Sequence, residues 1–131
     1  GNITTGVTMT AADNQNRAAL TAFVSFIMIY STTGGVNYGY GCVVRAGKTQ
    51  RTLHLGTRVW SGVMTLAAHL SDGSVADQTT TLTASAGTGA EFDTPITYKA
   101  SKEGEELHVE VRFTTNSGSN PHTCCLYGYI T

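Results

Sequence analysis

The sequence predicts an all-β fold: a two-sheet antiparallel β-sandwich, Ig-like or jelly-roll-like, of about seven to eight strands, with residues 1–131 forming one domain. Three observations carry that expectation. The first is a two-residue hydrophobic rhythm, clearest where Leu107, Val109, Val111 and Phe113 alternate with His108, Glu110 and Arg112. Successive side chains of an extended chain point to opposite faces, so such a stretch has one dry side and one wet side. The second is turn chemistry. Asp72-Gly73 supplies the positive φ angles of a tight hairpin. The third is composition: charged residues make up only 13% of the chain, against about 25% in an average domain. Threonine, whose branched Cβ suits a half-solvated sheet, is abundant.

Each element follows in order. Residues 1–17 are polar and rich in Thr and Asn, and read as irregular, with at most a helical turn from Asp13 through Ala19. Residues 20–31, LTAFVSFIMIYS, are apolar on both alternating faces and predict a strand buried on both sides. After Gly34-Gly35, residues 36–45 interleave Tyr38, Tyr40, Val43 and Val44 with Gly39 and Gly41. Glycine within a strand marks a bulge or a close backbone approach. Residues 50–56 alternate Leu53 and Leu55 with Thr52 and His54. Residues 62–70 place Met64, Leu66, Ala68 and Leu70 on one face and Val63, Thr65, Ala67 and His69 on the other. Strands over 77–85 (Leu82 and Ala84 inward), 95–100 (Ile96 and Tyr98), 105–114 and 123–130 complete the series, with a Gly-rich loop over 86–90.

Several function classes are excluded or bounded by the same reading. The formal net charge is −1 and the eight basic residues are scattered, so no stripe exists to neutralise phosphates and nucleic acid is not an expected partner. The longest apolar stretch, residues 23–30, is broken by Ser25 and falls far short of the roughly 20 residues of a membrane span. No signal peptide is present, and Gly1 reads as the scar of a cleaved tag, so the chain is expected to be a piece of a longer secreted protein. The three cysteines, Cys42, Cys124 and Cys125, are odd in number and lack a C-x-x-C pair, which argues against a disulfide framework and a zinc site. Buried or half-buried free thiols are the favoured reading. A bridge from Cys42 to Cys124 or Cys125, or a strained ring between the vicinal pair, stays open.

From about Ala46 onward the order of segments carries a resemblance. Residues 49–55 (TQRTLHL) precede Trp60-Ser61-Gly62, then His69-Leu70-Ser71-Asp72-Gly73-Ser74, then Ile96-Thr97-Tyr98-Lys99-Ala100, the strand within 104–113, and Asn116-Ser117-Gly118-Ser119-Asn120. This pattern resembles the small β-sandwich accessory modules appended to secreted bacterial glycoside hydrolases and cell-surface proteins. The resemblance implies a non-catalytic, extracellular or bacterial cell-surface role, with polysaccharide or glycan and the neighbouring domains of a larger parent protein as partners.

The candidate ligand-binding residues are aromatic. Exposed rings stack on sugar C–H faces while polar neighbours take the hydroxyls. Trp60, the only tryptophan, is either such a ring or a plug at one end of the core, its N–H meeting a carbonyl. Tyr38 and Tyr40 share one strand face, as do Tyr127 and Tyr129, about 7 Å apart along each strand. Each pair reads as a stacking platform or as cross-strand packing. If the two strands are neighbours, the four tyrosines form one patch. His54, His69 and His108 face outward on separate strands and His122 precedes the last, with no H-x-x-x-H spacing, so no metal site is assigned. Glu91, Asp93, Asp72 and Asp77 sit beside Gly, Ser and Thr and read as solvated loop acids, not as a glycosidase pair. Asp72, Ser74 and Asp77 offer oxygen ligands of the kind calcium takes, the one cofactor left open. No G-x-S-x-G elbow occurs, and no catalytic residue is assigned. The expected function is carbohydrate binding by a non-catalytic module. The alternatives are a structural or adhesive sandwich contacting protein and a small coat-type assembly subunit.

Overall fold

The computed structural model describes Ile3–Ala11 and Met28–Tyr30 as strands, and residues 36–131 in full. Among these residues there are nine strands and no helix. They are β1 (Ile3–Ala11), β2 (Met28–Tyr30), β3 (Gly39–Ala46), β4 (Arg51–Trp60), β5 (Gly62–Leu70), β6 (Gln78–Thr83), β7 (Gly89–Tyr98), β8 (Glu105–Asn116) and β9 (His122–Ile130). One sheet runs β1-β3-β8-β5-β6 and the other β2-β9-β4-β7. The two-sheet β-sandwich is therefore the fold. Its one departure from an antiparallel plan is β1, which pairs parallel to β3 at the edge of the first sheet.

That edge strand corrects the reading of residues 1–17 as irregular. Ile3, Val7, Met9 and Ala11 do keep a two-residue spacing, but Thr and Gly between and beside them lower the contrast on which periodicity depends. The helical turn proposed for Asp13–Ala19 and most of the apolar run at 20–31 lie outside the described residues, apart from β2, which pairs with β9. Strand β7 starts at Gly89, earlier than the predicted 95, because its first half, GAEFDT, turns only Ala90, Phe92 and Thr94 inward, a weaker apolar signal than Ile96 and Tyr98 give.

Between the sheets lies one core. Tyr40, Val44, Leu66, Val111 and Phe113 face inward from the first sheet and Leu53, Leu55, Val59, Ile96 and Ile130 from the second, none more than 2% exposed. The alternation read for β5 holds in full: Met64, Leu66, Ala68 and Leu70 are buried and the residues between them are not. Leu82 and Ala84 are buried as expected.

Two tie points set the geometry of the sandwich ends. Ser61 joins β4 to β5 with no loop at all, its φ of 51° turning the chain from one sheet into the other. It donates its N–H to the Thr88 carbonyl (3.1 Å), accepts Ser117 N–H at its own carbonyl (2.9 Å), and accepts Gly87 N–H at Oγ (2.7 Å). Three chain reversals thus meet on one fully buried serine. The other tie is Asp72 in the β5–β6 hairpin, where Gly73 takes the expected positive φ of 65°. Its Oδ1 accepts Ser74 N–H (2.9 Å) and its Oδ2 accepts both Ser101 N–H (2.8 Å) and Ser101 Oγ–H (2.7 Å).

These hydrogen bonds, led by the Ser101 backbone N–H, hold the Asp72 carboxyl well below the usual carboxylate range. The folded value lies below the unfolded one of about 3.9, so the stabilisation is fully present above about pH 4 and lost as pH falls through the folded value. The urea midpoint is expected to drop on acidification below about pH 4, and Asp72→Asn to flatten that acid limb. Denaturation series at several pH values check it. An unchanged limb would show that Asp72 is not the tie.

Candidate functional site: an aromatic face on the second sheet

The outer face of β9-β4-β7 follows from register. On β4, Leu53, Leu55, Thr57 and Val59 are buried, which turns Thr52, His54, Gly56, Arg58 and Trp60 outward. Their partners on β9 are Tyr129 opposite His54, Tyr127 opposite Gly56, Cys124 opposite Arg58 and His122 opposite Trp60. On β7 they are Thr97, Pro95, Asp93, Glu91 and Gly89. The register of β9 shifts between Gly56 and Thr57, where Leu126 is the extra residue. This bulge keeps Cys125 facing the core while bringing Tyr127 and Tyr129 to the outer face.

Rings stand at both ends of this face, with Arg58 and Cys124 between the two groups. Tyr129 stacks on His54 with centroids 4.6 Å apart and planes 11° from parallel. Tyr127 lies beside Tyr129 at 5.9 Å, and Trp60 stacks on His122 at 5.7 Å. The seven residues from His54 to Trp60, six rises along the strand, span about 20 Å of extended chain. Trp60 is half-buried on this face, not a plug in the core.

Two glycines make the face flat. A Cβ on Gly56 would stand 2.2 Å from Tyr127 Cε1, so the Tyr127 ring lies directly across the bare backbone there. Similarly, a Cβ on Gly89 would stand 2.7 Å from Arg58 Nη2. Polar groups border the rings. Tyr127 donates its hydroxyl proton to Asp93 Oδ1 at 2.8 Å, and Arg58 Nη1 reaches Glu91 Oε1 at 3.3 Å. The His54 ring nitrogen Nε2 meets Thr131 Oγ1 at 3.1 Å. Partial desolvation, and then the hydrogen bond to Asp93, push the Tyr127 phenol up to about 12. The ion pair between Arg58 and Glu91 is exposed on both sides and worth about 0–1 kcal/mol, so it is free to exchange for a ligand.

Of the predicted aromatic residues, the structure gathers Trp60, Tyr127 and Tyr129 on one face and leaves two elsewhere. Tyr40 is fully buried, its hydroxyl 2.6 Å from Thr57 Oγ1, so it belongs to the core and not to a platform. Tyr38 is exposed but precedes β3 in the first sheet, just after Asn37 with φ of 69°. The shared exposed face expected for Tyr38 and Tyr40 is not found, since one ring is exposed and the other fully buried. Because β3 and β9 lie in different sheets, the four tyrosines do not form one patch.

Other candidates are also repositioned. Glu91 and Asp93 stand on the outward side of β7, not in a loop, and remain exposed. Asp72 and Asp77 do not converge: Asp72 is committed to Ser74 and Ser101, and Asp77 to His69. Among the described residues no three His, Cys, Asp or Glu side chains are placed together to hold a metal ion. Cys42, Cys124 and Cys125 are buried free thiols. Burial pushes Cys42 up to about 12 and Cys125 to about 11, which keeps them as unreactive thiols at neutral pH.

Sequence reasoning missed His54, Gly56, Arg58, Asp93 and His122 as members of this face. Only the pairing of β4 with both β7 and β9 assembles them, and no local pattern encodes such pairing. The class defined by fold and site is thus a two-sheet β-sandwich carrying a flat, ring-lined outer face. Comparison with protein-family models, with curated proteins and with solved structures gives no significant match.

Proposed function

We propose that this domain is a non-catalytic, extracellular accessory module that binds polysaccharide across the outer face of β9-β4-β7. The observation that carries the reading is the alignment of Trp60, Tyr127 and Tyr129 with His54 and His122 on one flat, half-exposed surface. Sugar rings present C–H groups to aromatic faces and hydroxyls to their edges. Arg58, Glu91, Asp93 and Thr97 supply the polar border. A linear glycan matches a stripe of this length better than a small compact ligand does. A general-acid carboxyl needs burial to hold its proton at neutral pH, whereas Glu91 and Asp93 are exposed.

Affinity electrophoresis against a panel of soluble polysaccharides, or a glycan array, tests the reading. At least one glycan should bind. Trp60→Ala, and the double change Tyr127→Ala with Tyr129→Ala, should each cost about 2 kcal/mol or more, the scale of a binding hot spot, which is about thirtyfold in affinity. Circular dichroism should stay that of the parent. Tyr38→Ala should bind like the parent, since that ring lies on the other sheet. Full binding in both platform variants would remove the proposed surface.

A further inference from the structure

A second cluster lies on the outer face of the opposite sheet, independent of the aromatic stripe. His69 on β5 and His108 on β8 are direct cross-strand partners. Residues so placed have Cβ atoms about 4.5–5.5 Å apart, and their side chains stand together. Each imidazole is held by a carboxylate: Asp77 Oδ1 lies 2.7 Å from His69 Nδ1, and Glu106 Oε1 lies 3.2 Å from His108 Nε2. The histidines, with Ala67, Ser71, Asp77 and Glu110, line a shallow depression of about 470 Å³. Ala67, on the same face two residues before His69, leaves its floor open. The side chains of His69 and His108 are 55% and 46% exposed.

We propose that His69 and His108 bind a divalent transition-metal ion of the zinc class, with Asp77 and Glu106 orienting the two ligands. A metal-binding imidazole coordinates through its unprotonated nitrogen, and a carboxylate on the other ring N–H fixes that tautomer and raises the basicity of the ligand. Asp77 accepts Nδ1–H of His69 and leaves its Nε2 lone pair free. Glu106 accepts Nε2–H of His108 and leaves its Nδ1 lone pair free. Water completes the coordination, since no third ligand is already in place and Glu110 is paired with Arg112 at 2.9 Å. The site is thus an open surface centre, not a closed structural one. Imidazole donors favour zinc, nickel and copper over magnesium or calcium, which take oxygen.

Titration calorimetry with Zn²⁺ at neutral pH, with Mg²⁺ as the control ion, tests this on the intact chain. One Zn²⁺ per chain should bind and Mg²⁺ should not. His69→Ala and His108→Ala should each abolish binding, and Asp77→Asn should weaken it by about 10–100-fold, the usual effect of losing an orienting carboxylate. His54→Ala, on the other sheet, should bind Zn²⁺ like the parent. In imidazole nitrogen NMR spectra, the His69 and His108 resonances should move on adding Zn²⁺ while those of His54 stay. His69, Asp77 and His108 are exposed, so their variants should stay folded, and circular dichroism checks this for every variant. Absence of Zn²⁺ binding overturns the proposal, as does binding that survives both His69→Ala and His108→Ala.

Discussion

Phe113→Ala is expected to cost about 3–5 kcal/mol of stability, the range for deleting a buried aromatic ring, out of about 5–15 kcal/mol for a whole domain. The ring is fully buried on β8, the strand flanked by β3 and β5 in the middle of the first sheet. It fills the space beneath Gly62, where a Cβ would come within 2.6 Å of Cε1. Its backbone also anchors the entry to β3, donating N–H to the Tyr38 carbonyl (2.8 Å) and accepting Asn37 N–H (2.7 Å). Both sheets are pinned at that end by Ser61, so the void cannot close by collapse, and a cavity that stays open costs most. Urea denaturation should show a lower midpoint at unchanged slope. Thr81→Ala, on the exposed face of β6, should stay within about 0.5 kcal/mol of the parent. A loss below about 1 kcal/mol for Phe113→Ala would mean that the sheets are not packed at this point.

Gly56→Ala is expected to dismantle the aromatic face while leaving the sandwich folded. Its new methyl group would meet three Tyr127 ring atoms at 2.2–2.6 Å, so the ring must lift off the sheet. Lifting it breaks the 2.8 Å hydrogen bond to Asp93 and returns the ring to water. The Tyr127 phenol should then fall from about 12 toward the ordinary 10.0. Because the folded value exceeds the unfolded one, its stabilisation is complete below about pH 10 and lost as pH rises past the folded value. Ultraviolet titration of phenolate, with Tyr127→Phe as the reference, reads this directly. Polysaccharide affinity should fall as it does for removal of the ring. If the titration is unchanged, Tyr127 does not lie across Gly56.

What could be read from residues alone was whatever is encoded within a single strand. The alternation in β5 and β8, the Asp72-Gly73 turn and the inward Leu82 were all legible because each depends on neighbours two to four residues away. Tyr127 and Tyr129 could be named as platform candidates for the same reason, and Trp60 because it is the only tryptophan. Tyr40 was not distinguishable from them. Its flanking Gly39 and Gly41 point to a bulge or close backbone approach and do not set its burial, whereas its hydroxyl finds Thr57 on the opposite sheet, a partner 17 residues away. The contributions of His54 and His122 arise from pairing with residues 75 and 62 positions distant along the chain (129 less 54; 122 less 60). The bulge at Leu126 adds a phase shift that a strict two-residue period cannot anticipate. β1 escaped because threonine alternation in an edge strand looks like a polar loop.

The strand order has a kinetic corollary. β3 and β5 both need β8, and β4 needs β7 and β9, so beyond the β1–β3 pair the strands of the first half find their mates only in the second. Contacts of such long sequence separation slow the search for the native state, to milliseconds or longer in all-β domains. The first sheet can pair once β8 exists, while β9, which joins β2 to β4, completes the second. Deleting that final strand should release the whole sandwich, where fraying from β6 would release only an edge.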